Sequence, residues 1–446
     1  MLKKTVILLL IFCWGQSLLA QDVRQKLDEA VTTFAKQDKF NGSVLVARKG
    51  TVVLEKGYGL KNAKNNTSND AGTIYQLGSI TKQFTSAIIL RLVELHQLSL
   101  SDKLNKFYPD YPNGDKITVA QLLSHTSGVY SYTSDRAFMQ TEAVKPSTEE
   151  KMMALIKDKP LDFQPGADWR YSNSGYSLLG YIIQKATKMP YETAVHKYIF
   201  GPLDMQHSGF DFTHLNDPEK ATGYYSLSGN TQAEAPIVDS SVSFSAGAIY
   251  STAGDLYKWH KALLSGAVIR SSSLELAYTP VKNKYGFGWF IDSVYGRRRV
   301  GHGGSIFGFT TNITRIPEDD VCVILLSNAS NNGLDSLTHS LLAILYQQPY
   351  ALPVPKKEVQ VDSSLLKRYV GVFQIPGFKI DITWEQGHLM AQPTGQQKVR
   401  LYPEKDNMFF VKEVSAELEF NPDANGAYDK IILYQGGKQM AGQRVK

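Results

Sequence analysis

The sequence predicts an α+β protein. An antiparallel sheet is assembled from strands near both ends of one domain, a helical subdomain is inserted between them, and a small antiparallel β-barrel follows. Three observations predict this. Strand-like runs occur at Ser43–Val46 and Thr51–Glu55 and return only after Pro280. The stretch between them mixes helical periodicity with long Gly-, Ser- and Pro-bearing loops, as expected of a helical insertion. From Tyr369 onward, short β-rich segments alternate with turn signals, as in a small barrel or sandwich.

Taken in chain order, residues 1–20 read as a secretory signal: Lys3 and Lys4, an apolar run from Thr5 to Trp14, and Leu18-Leu19-Ala20 before a cut. That run is short for a membrane span, and an uncleaved anchor is the alternative. The reading places the protein in the periplasm or outside the cell. The domain spanning 21–346 begins with a hairpin turning at Arg48-Lys49-Gly50. Phe84, Ile88, Leu92 and Leu95 give residues 80–98 a helical stripe, and Leu178–Ala186 is a second apolar helix. Strands are expected at Tyr285–Asp292, Arg297–Gly301, Phe309–Ile316 and Val321–Leu326, with Leu334–Tyr346 as a closing helix. Residues 347–361 form a linker, marked by Pro349, Pro353 and Pro355 and then Lys356-Lys357-Glu358. Residues 362–446 form the β-domain, with turns at Glu385-Gln386-Gly387, Pro422–Gly426 and Gly436-Gly437.

Composition excludes several classes. With 43% hydrophobic and 20% charged residues the chain is globular rather than disordered. Removing residues 1–20 takes away two lysines and no acid, so the formal net charge falls from +6 to +4. A mild excess spread along the chain is a solvated surface, not a nucleic-acid footprint. Only Cys322 remains after cleavage, inside the apolar run Val321–Leu326, and reads as a core thiol. The nine histidines form no H-E-x-x-H pair and no Cys/His cluster, so neither metal nor cofactor is expected.

The chemistry-bearing pattern is Ser79-Ile80-Thr81-Lys82, then Tyr171-Ser172-Asn173, then His302-Gly303-Gly304. A serine and a lysine three apart at a helix start share one face. A serine hydroxyl becomes a nucleophile only when a base takes its proton and nearby donors hold the oxyanion. Lysine titrates near ~10.4 and tyrosine near ~10, so either needs a shifted pKa to serve as that base, and the sequence leaves open which one does. Each motif has an ordinary reading. Gly78-Ser79 could be a helix cap, and Tyr171 could be a core aromatic. Each motif also recurs without chemistry, at Ser364-Leu365-Leu366-Lys367, Tyr111-Pro112-Asn113 and His207-Ser208-Gly209. Their joint occurrence in this order outweighs the separate ordinary readings.

With these motifs the chain resembles the serine β-lactamase-like hydrolases, a family that includes class C β-lactamases, D-alanyl-D-alanine carboxypeptidases, D-aminopeptidases and esterases. Further segments carry the resemblance: Leu77–Thr85, Leu122-Leu-Ser-His-Thr-Ser-Gly128, Phe163–Gly166, Gly201–Met205, Ser251–Leu256 and Gly301–Ser305. It spans roughly residues 24–346, and the C-terminal part resembles a lipocalin-like β-domain. The resemblance implies that Ser79 is acylated and that Lys82 and Tyr171 form the acid/base pair. It implies that Asn173 bonds Lys82 and substrate, and that the N–H groups of Ser79 and Ser305 make the oxyanion hole. It also implies that His302, Gly304 and Ser305 lie on the strand lining the site and meet the substrate. Where class C enzymes carry Lys-Thr-Gly this chain carries His302-Gly303-Gly304. Losing a permanent cation there weakens the case for an efficient β-lactamase, leaving at most weak activity on a β-lactam-like substrate, and favours small peptide, amide or ester substrates. The alternative is a penicillin-binding or sensor protein that acylates with little turnover. A Ser-His-Asp hydrolase is excluded because no serine has the G-x-S-x-G elbow. The β-domain's role stays open between capping the cleft, selecting substrate ends and mediating homo-oligomers.

Overall fold

The computed structural model describes residues 21–445 except 229–230, 331–332, 413–415 and 436–437. The expected signal segment, residues 1–20, lies outside the described residues, as does the expected turn at Gly436-Gly437. The chain forms two compact units divided between Leu352 and Pro353.

The first unit is organised by a six-stranded antiparallel sheet. Its strand order is Thr51–Tyr58, Gly42–Arg48, Val321–Ser327, Phe309–Ile316, Arg297–Ile306, Phe290–Val294. The strand from the N-terminal hairpin thus pairs with one nearly three hundred residues later, with Val44 opposite Leu325. The paired strands Gly42–Arg48 and Val321–Ser327 are apolar on both faces, because each face is covered by helices. Side chains alternate with period two. Val44, Val46, Val323 and Leu325 therefore pack on one side with Leu27, Val31, Leu337 and Leu341, from the helices at residues 21–35 and Leu334–Leu345. Leu45, Ala47, Ile324 and Leu326 face the opposite core, which includes Phe84, Ile88 and Trp259. The helix Thr81–Glu94 is buried on nearly all sides, which is why its apolar stripe is broad. Cys322 shares that core, and burial pushes its thiol up to about 12.

Several expected elements differ in extent: the strand read over Arg297–Gly301 runs on to Ile306, and the helix read over Leu178–Ala186 begins at Asn173. The helix read over 80–98 ends at Glu94, and His96 turns the chain at φ 57°. The strand read over Tyr285–Asp292 begins only at Phe290. Gly286 and Gly288 explain this. A Cβ at Gly286 would lie 2.0 Å from the Ala277 carbonyl oxygen, and Gly288 takes φ 93°, which no extended strand accommodates.

The second unit is a closed barrel of eight antiparallel strands in sequence order, from Gly371–Ile375 to Lys438–Val445. Its interior is filled by side chains including Phe373, Ile382, Leu389, Phe409 and Phe420. Ser364 lies in the short helix Ser363–Lys367 beside it, with its hydroxyl bonded to Asp362 and Leu366 buried. This second S-x-x-K is a helix start and nothing more.

One buried polar network ties the sheet to the helical layer. Arg315, fully buried, donates to His260 Nδ1 at 2.8 Å and to the Tyr278 hydroxyl. His260 Nδ1 therefore carries no proton, and Nε2 donates to Asp320 at 2.9 Å. The imidazole links the Asp320 carboxylate to a guanidinium that pairs with no carboxylate among the described residues. Removing it strands a buried charge, so His260→Ala should cost ~3–5 kcal/mol in urea unfolding. A loss below about 1 kcal/mol contradicts this reading of the network.

Candidate active site

The site is built where the start of the helix Thr81–Glu94 meets the sheet edge. Ser79 sits in a tight helical turn, Gly78–Ile80, immediately before that helix. Two glycines permit the approach. Gly78 takes φ 56°, and a Cβ there would lie 2.9 Å from Ser305 N; a Cβ at Gly304 would lie 1.9 Å from the Leu77 carbonyl oxygen. Thr311 Oγ1 donates to that same carbonyl at 2.6 Å. The turn is thereby pressed against the strand Arg297–Ile306, which brings the backbone of Ser79 and Ser305 to one cleft.

Lys82, one turn beyond Ser79, is completely buried. Its Nζ has three acceptors: Ser79 Oγ at 3.0 Å, Asn173 Oδ1 at 2.8 Å and the Ala246 carbonyl oxygen at 2.9 Å. All three are neutral. Burial accordingly pulls the Lys82 pKa well below its ordinary value. The set also fits the uncharged amine: two N–H groups point at two carbonyls, and the lone pair receives the Ser79 hydroxyl proton. Asn173 opens the helix Asn173–Thr187, five residues before the apolar run Leu178–Ala186 begins, because Ser172 caps it by accepting from Gly175 N. Thr133 Oγ1 accepts from Asn173 Nδ2 at 3.0 Å, which fixes the amide with its oxygen toward Lys82.

Tyr171 is brought to the same place. Its ring centroid lies 4.7 Å from Lys82 Nζ. Its hydroxyl is buried without a hydrogen-bond partner at bonding geometry. Burial pushes the phenol pKa up, and only partly does the nearby Ser79 hydroxyl offset this. Burial therefore drives the two candidate bases apart, the lysine toward its neutral form and the tyrosine toward its protonated one.

His302 differs from its expected place. Its imidazole is 4% exposed and does not line the cleft. Nδ1 lies 2.6 Å from the Gly303 carbonyl oxygen, which can only accept, so Nδ1 carries the proton and Nε2 accepts from the Tyr285 hydroxyl at 3.0 Å. Burial, aided by Lys82, drives its pKa down to about 3. The residue expected to meet substrate instead packs behind Tyr171, 6.2 Å ring to ring. Strand periodicity explains it: His302 and Ser305 differ by an odd number of residues and so face opposite ways.

Sequence reasoning gave no role to three groups. His125, inside the quoted Leu122–Gly128 segment, lies 4.2 Å ring to ring from Tyr171 and accepts from Ser172 N at 3.1 Å. Thr133 holds Asn173. The Ala246 carbonyl is backbone and leaves no residue-type signal. The cleft above these groups has a volume of about 300 Å³ and is lined by Ser79, Asn173 and Ser305 together with Met139, Tyr225 and Phe307. None of the described residues lining it is charged.

The chain is similar to known proteins along most of its length. Residues 23–347 match the family described as Beta-lactamase, and residues 355–444 match Domain of unknown function (DUF3471). The chain is 27% identical to penicillin-binding protein 4* of Bacillus subtilis (strain 168), covering 96% of this chain and 100% of that one. The octameric penicillin-binding protein homologue from Pyrococcus abyssi superposes with a TM-score of 0.66 at 26% identity, covering 95% of this chain and 100% of the other. A D-stereospecific amidohydrolase from Streptomyces sp. gives a TM-score of 0.58 at 27% identity over 72% of this chain and 96% of that one.

The buried neutral His302 predicts a pH dependence of stability. Its folded pKa, about 3, lies below the ~6.5 of an unfolded histidine. Between those values the unfolded chain binds more protons, so this contribution is complete above pH ~6.5 and is lost as pH falls toward 3. The urea midpoint should drop from pH 7 to pH 4.5, and drop less steeply in His302→Asn. Equal slopes for the two proteins contradict the assignment.

Proposed function

Because the chain belongs to the β-lactamase family, we propose that it is a serine hydrolase working through an acyl-Ser79 intermediate on peptide, amide or ester substrates of the D-amino-acid type. The observation that carries this is the arrangement of Lys82, a buried amine with neutral acceptors and a serine hydroxyl on its lone pair. Lys82 takes the Ser79 proton as Oγ attacks the acyl carbon. The N–H groups of Ser79 and Ser305 receive the oxyanion. Tyr171, kept as a phenol, donates to the departing amine or alcohol and regains its proton from Lys82. Water then enters by the reverse proton path and releases the acid, restoring Ser79.

The cleft lining supports neutral substrates with an apolar acyl side chain. Met139, Tyr225 and Phe307 offer apolar surface, and no charged side chain among the described lining residues meets a substrate carboxylate. With His302 neutral and turned away, nothing at that place substitutes for a lysine cation. A D-stereospecific amidohydrolase among the structural relatives supports the amide reading, and names such as penicillin-binding protein keep β-lactam acylation in view. Export to the periplasm or beyond rests on the signal-like residues 1–20. Homo-oligomer formation has the octameric relative as its support.

Ser79→Ala should abolish hydrolysis of D-amino-acid amides and short esters and block labelling by a fluorophosphonate, with the fold intact by circular dichroism. Lys82→Met should lower kcat/KM at least ~10³-fold, the loss of both base and hydroxyl orientation. In the wild type kcat/KM should rise with pH through the lowered Lys82 pKa, since the base acts unprotonated. Undiminished turnover in Ser79→Ala sinks the acyl-serine account. A stable adduct by intact-mass spectrometry without turnover replaces it with the sensor reading.

A further inference from the structure

Ala246, whose carbonyl holds Lys82, follows closely on an unusual residue. Within the helical segment Ser240–Gly247, Phe244 takes φ 39° and ψ −138°, a region that glycine enters freely and a bulky L-residue does not. Such strain persists only where the surroundings over-determine it. Here they do. The Phe244 ring stacks on Tyr181 at 4.7 Å and meets Tyr191 at 5.2 Å and Phe210 at 5.9 Å. The next residue is gripped from two helices. The Ser245 carbonyl accepts from Thr85 Oγ1 at 2.6 Å, and Ser245 Oγ donates to the Tyr176 carbonyl at 2.8 Å. Since Thr85 spends its proton on Ser245, the Tyr191 hydroxyl is the donor in its 2.6 Å contact with Thr85. Gly180 leaves room for this: a Cβ there would lie 2.0 Å from Ser245 Oγ and 2.7 Å from Phe244 Cε1.

We propose that Phe244 is a positioning residue for the reaction: its ring, locked in an aromatic socket, forces the backbone turn that aims the Ala246 carbonyl at Lys82. Thr85 lies three residues past Lys82 on the same helix, so the clamp registers the turn directly against the base. The Ala246 carbonyl and Asn173 Oδ1 together claim two of the amine's hydrogens, which leaves its lone pair for Ser79. The inference rests on the acyl-Ser79 reading above.

The test compares Phe244→Ala and Phe244→Gly in the full chain, by the rate of fluorophosphonate labelling at Ser79 and by kcat and KM on one amide. Alanine lacks both the ring and glycine's backbone freedom, so labelling and kcat should fall about 10- to 100-fold with KM changed less than about threefold. Glycine can adopt the turn without strain and should recover part of that loss. A purely packing role predicts the opposite order, with alanine the better of the two. Gly180→Ala, whose Cβ presses on Ser245 and the Phe244 ring and not on Lys82, should reproduce the slow labelling if the Phe244 variants fail to fold. Wild-type labelling rates in Phe244→Ala, alanine outperforming glycine, or wild-type labelling in Gly180→Ala overturns the proposal. Those outcomes leave the acyl-serine reading standing, whereas full turnover in Ser79→Ala would remove that reading itself.

Discussion

A lysine amine buried without a counter-charge is the constraint around which the site is organised. Among the described residues no carboxylate pairs with Lys82, and desolvation by burial disfavours its charge. The protein accepts this and supplies acceptors that suit the amine instead. Asn173 and Ala246 take its hydrogens, Ser79 stands at its lone pair, and Tyr171 and Tyr176 present ring faces at 4.7 and 5.4 Å. The same desolvation keeps Tyr171 protonated, so one environment assigns opposite roles to two groups whose unperturbed pKa values are nearly equal.

The surrounding fold serves that arrangement. Ser79 and Lys82 come from one helix start, Asn173 from another, Ala246 from a strained turn, and Ser305 from the sheet. Side-chain and backbone groups from four separate segments hold a fixed geometry only if each segment is immobile, and each is anchored by packing or hydrogen bonds of its own. Gly78 and Gly304 let backbone meet backbone at the junction of turn and strand. Thr133, Ser131 and His125 fix the segment carrying Tyr171 and Asn173. His302, neutral and donating to its own neighbour's carbonyl, fills space behind Tyr171 without adding charge next to the amine.

Much of this was legible in the residues. The strands Phe309–Ile316 and Val321–Ser327 announce themselves as long apolar or β-branched runs, and the S-x-x-K and Tyr-x-Asn spacings put Ser79, Lys82, Tyr171 and Asn173 on the page together. What escaped has physical reasons. Gly286 and Gly288 interrupt an otherwise strand-like run, and composition alone does not say whether a glycine marks a bulge or a turn. The motif places His302 on the substrate side, although the alternation along its own strand sets it opposite Ser305. The Ala246 carbonyl carries no side-chain signature, and nothing in Val242-Ser243-Phe244-Ser245 marks a positive φ at a phenylalanine. Backbone atoms and backbone strain are the parts of a site that residue types reveal least.

The chemistry of the site depends on the protonation state of one nitrogen, Lys82 Nζ, and that state is directly measurable. A ¹³C NMR titration of the lysine ε-carbons, with the Lys82 resonance identified by its loss in Lys82→Met, reads it without reference to any substrate. The account predicts that Lys82 deprotonates well below the ~10.4 of an ordinary lysine while solvent-exposed lysines titrate near that value. A Lys82 that titrates at or above ~10.4 would contradict it.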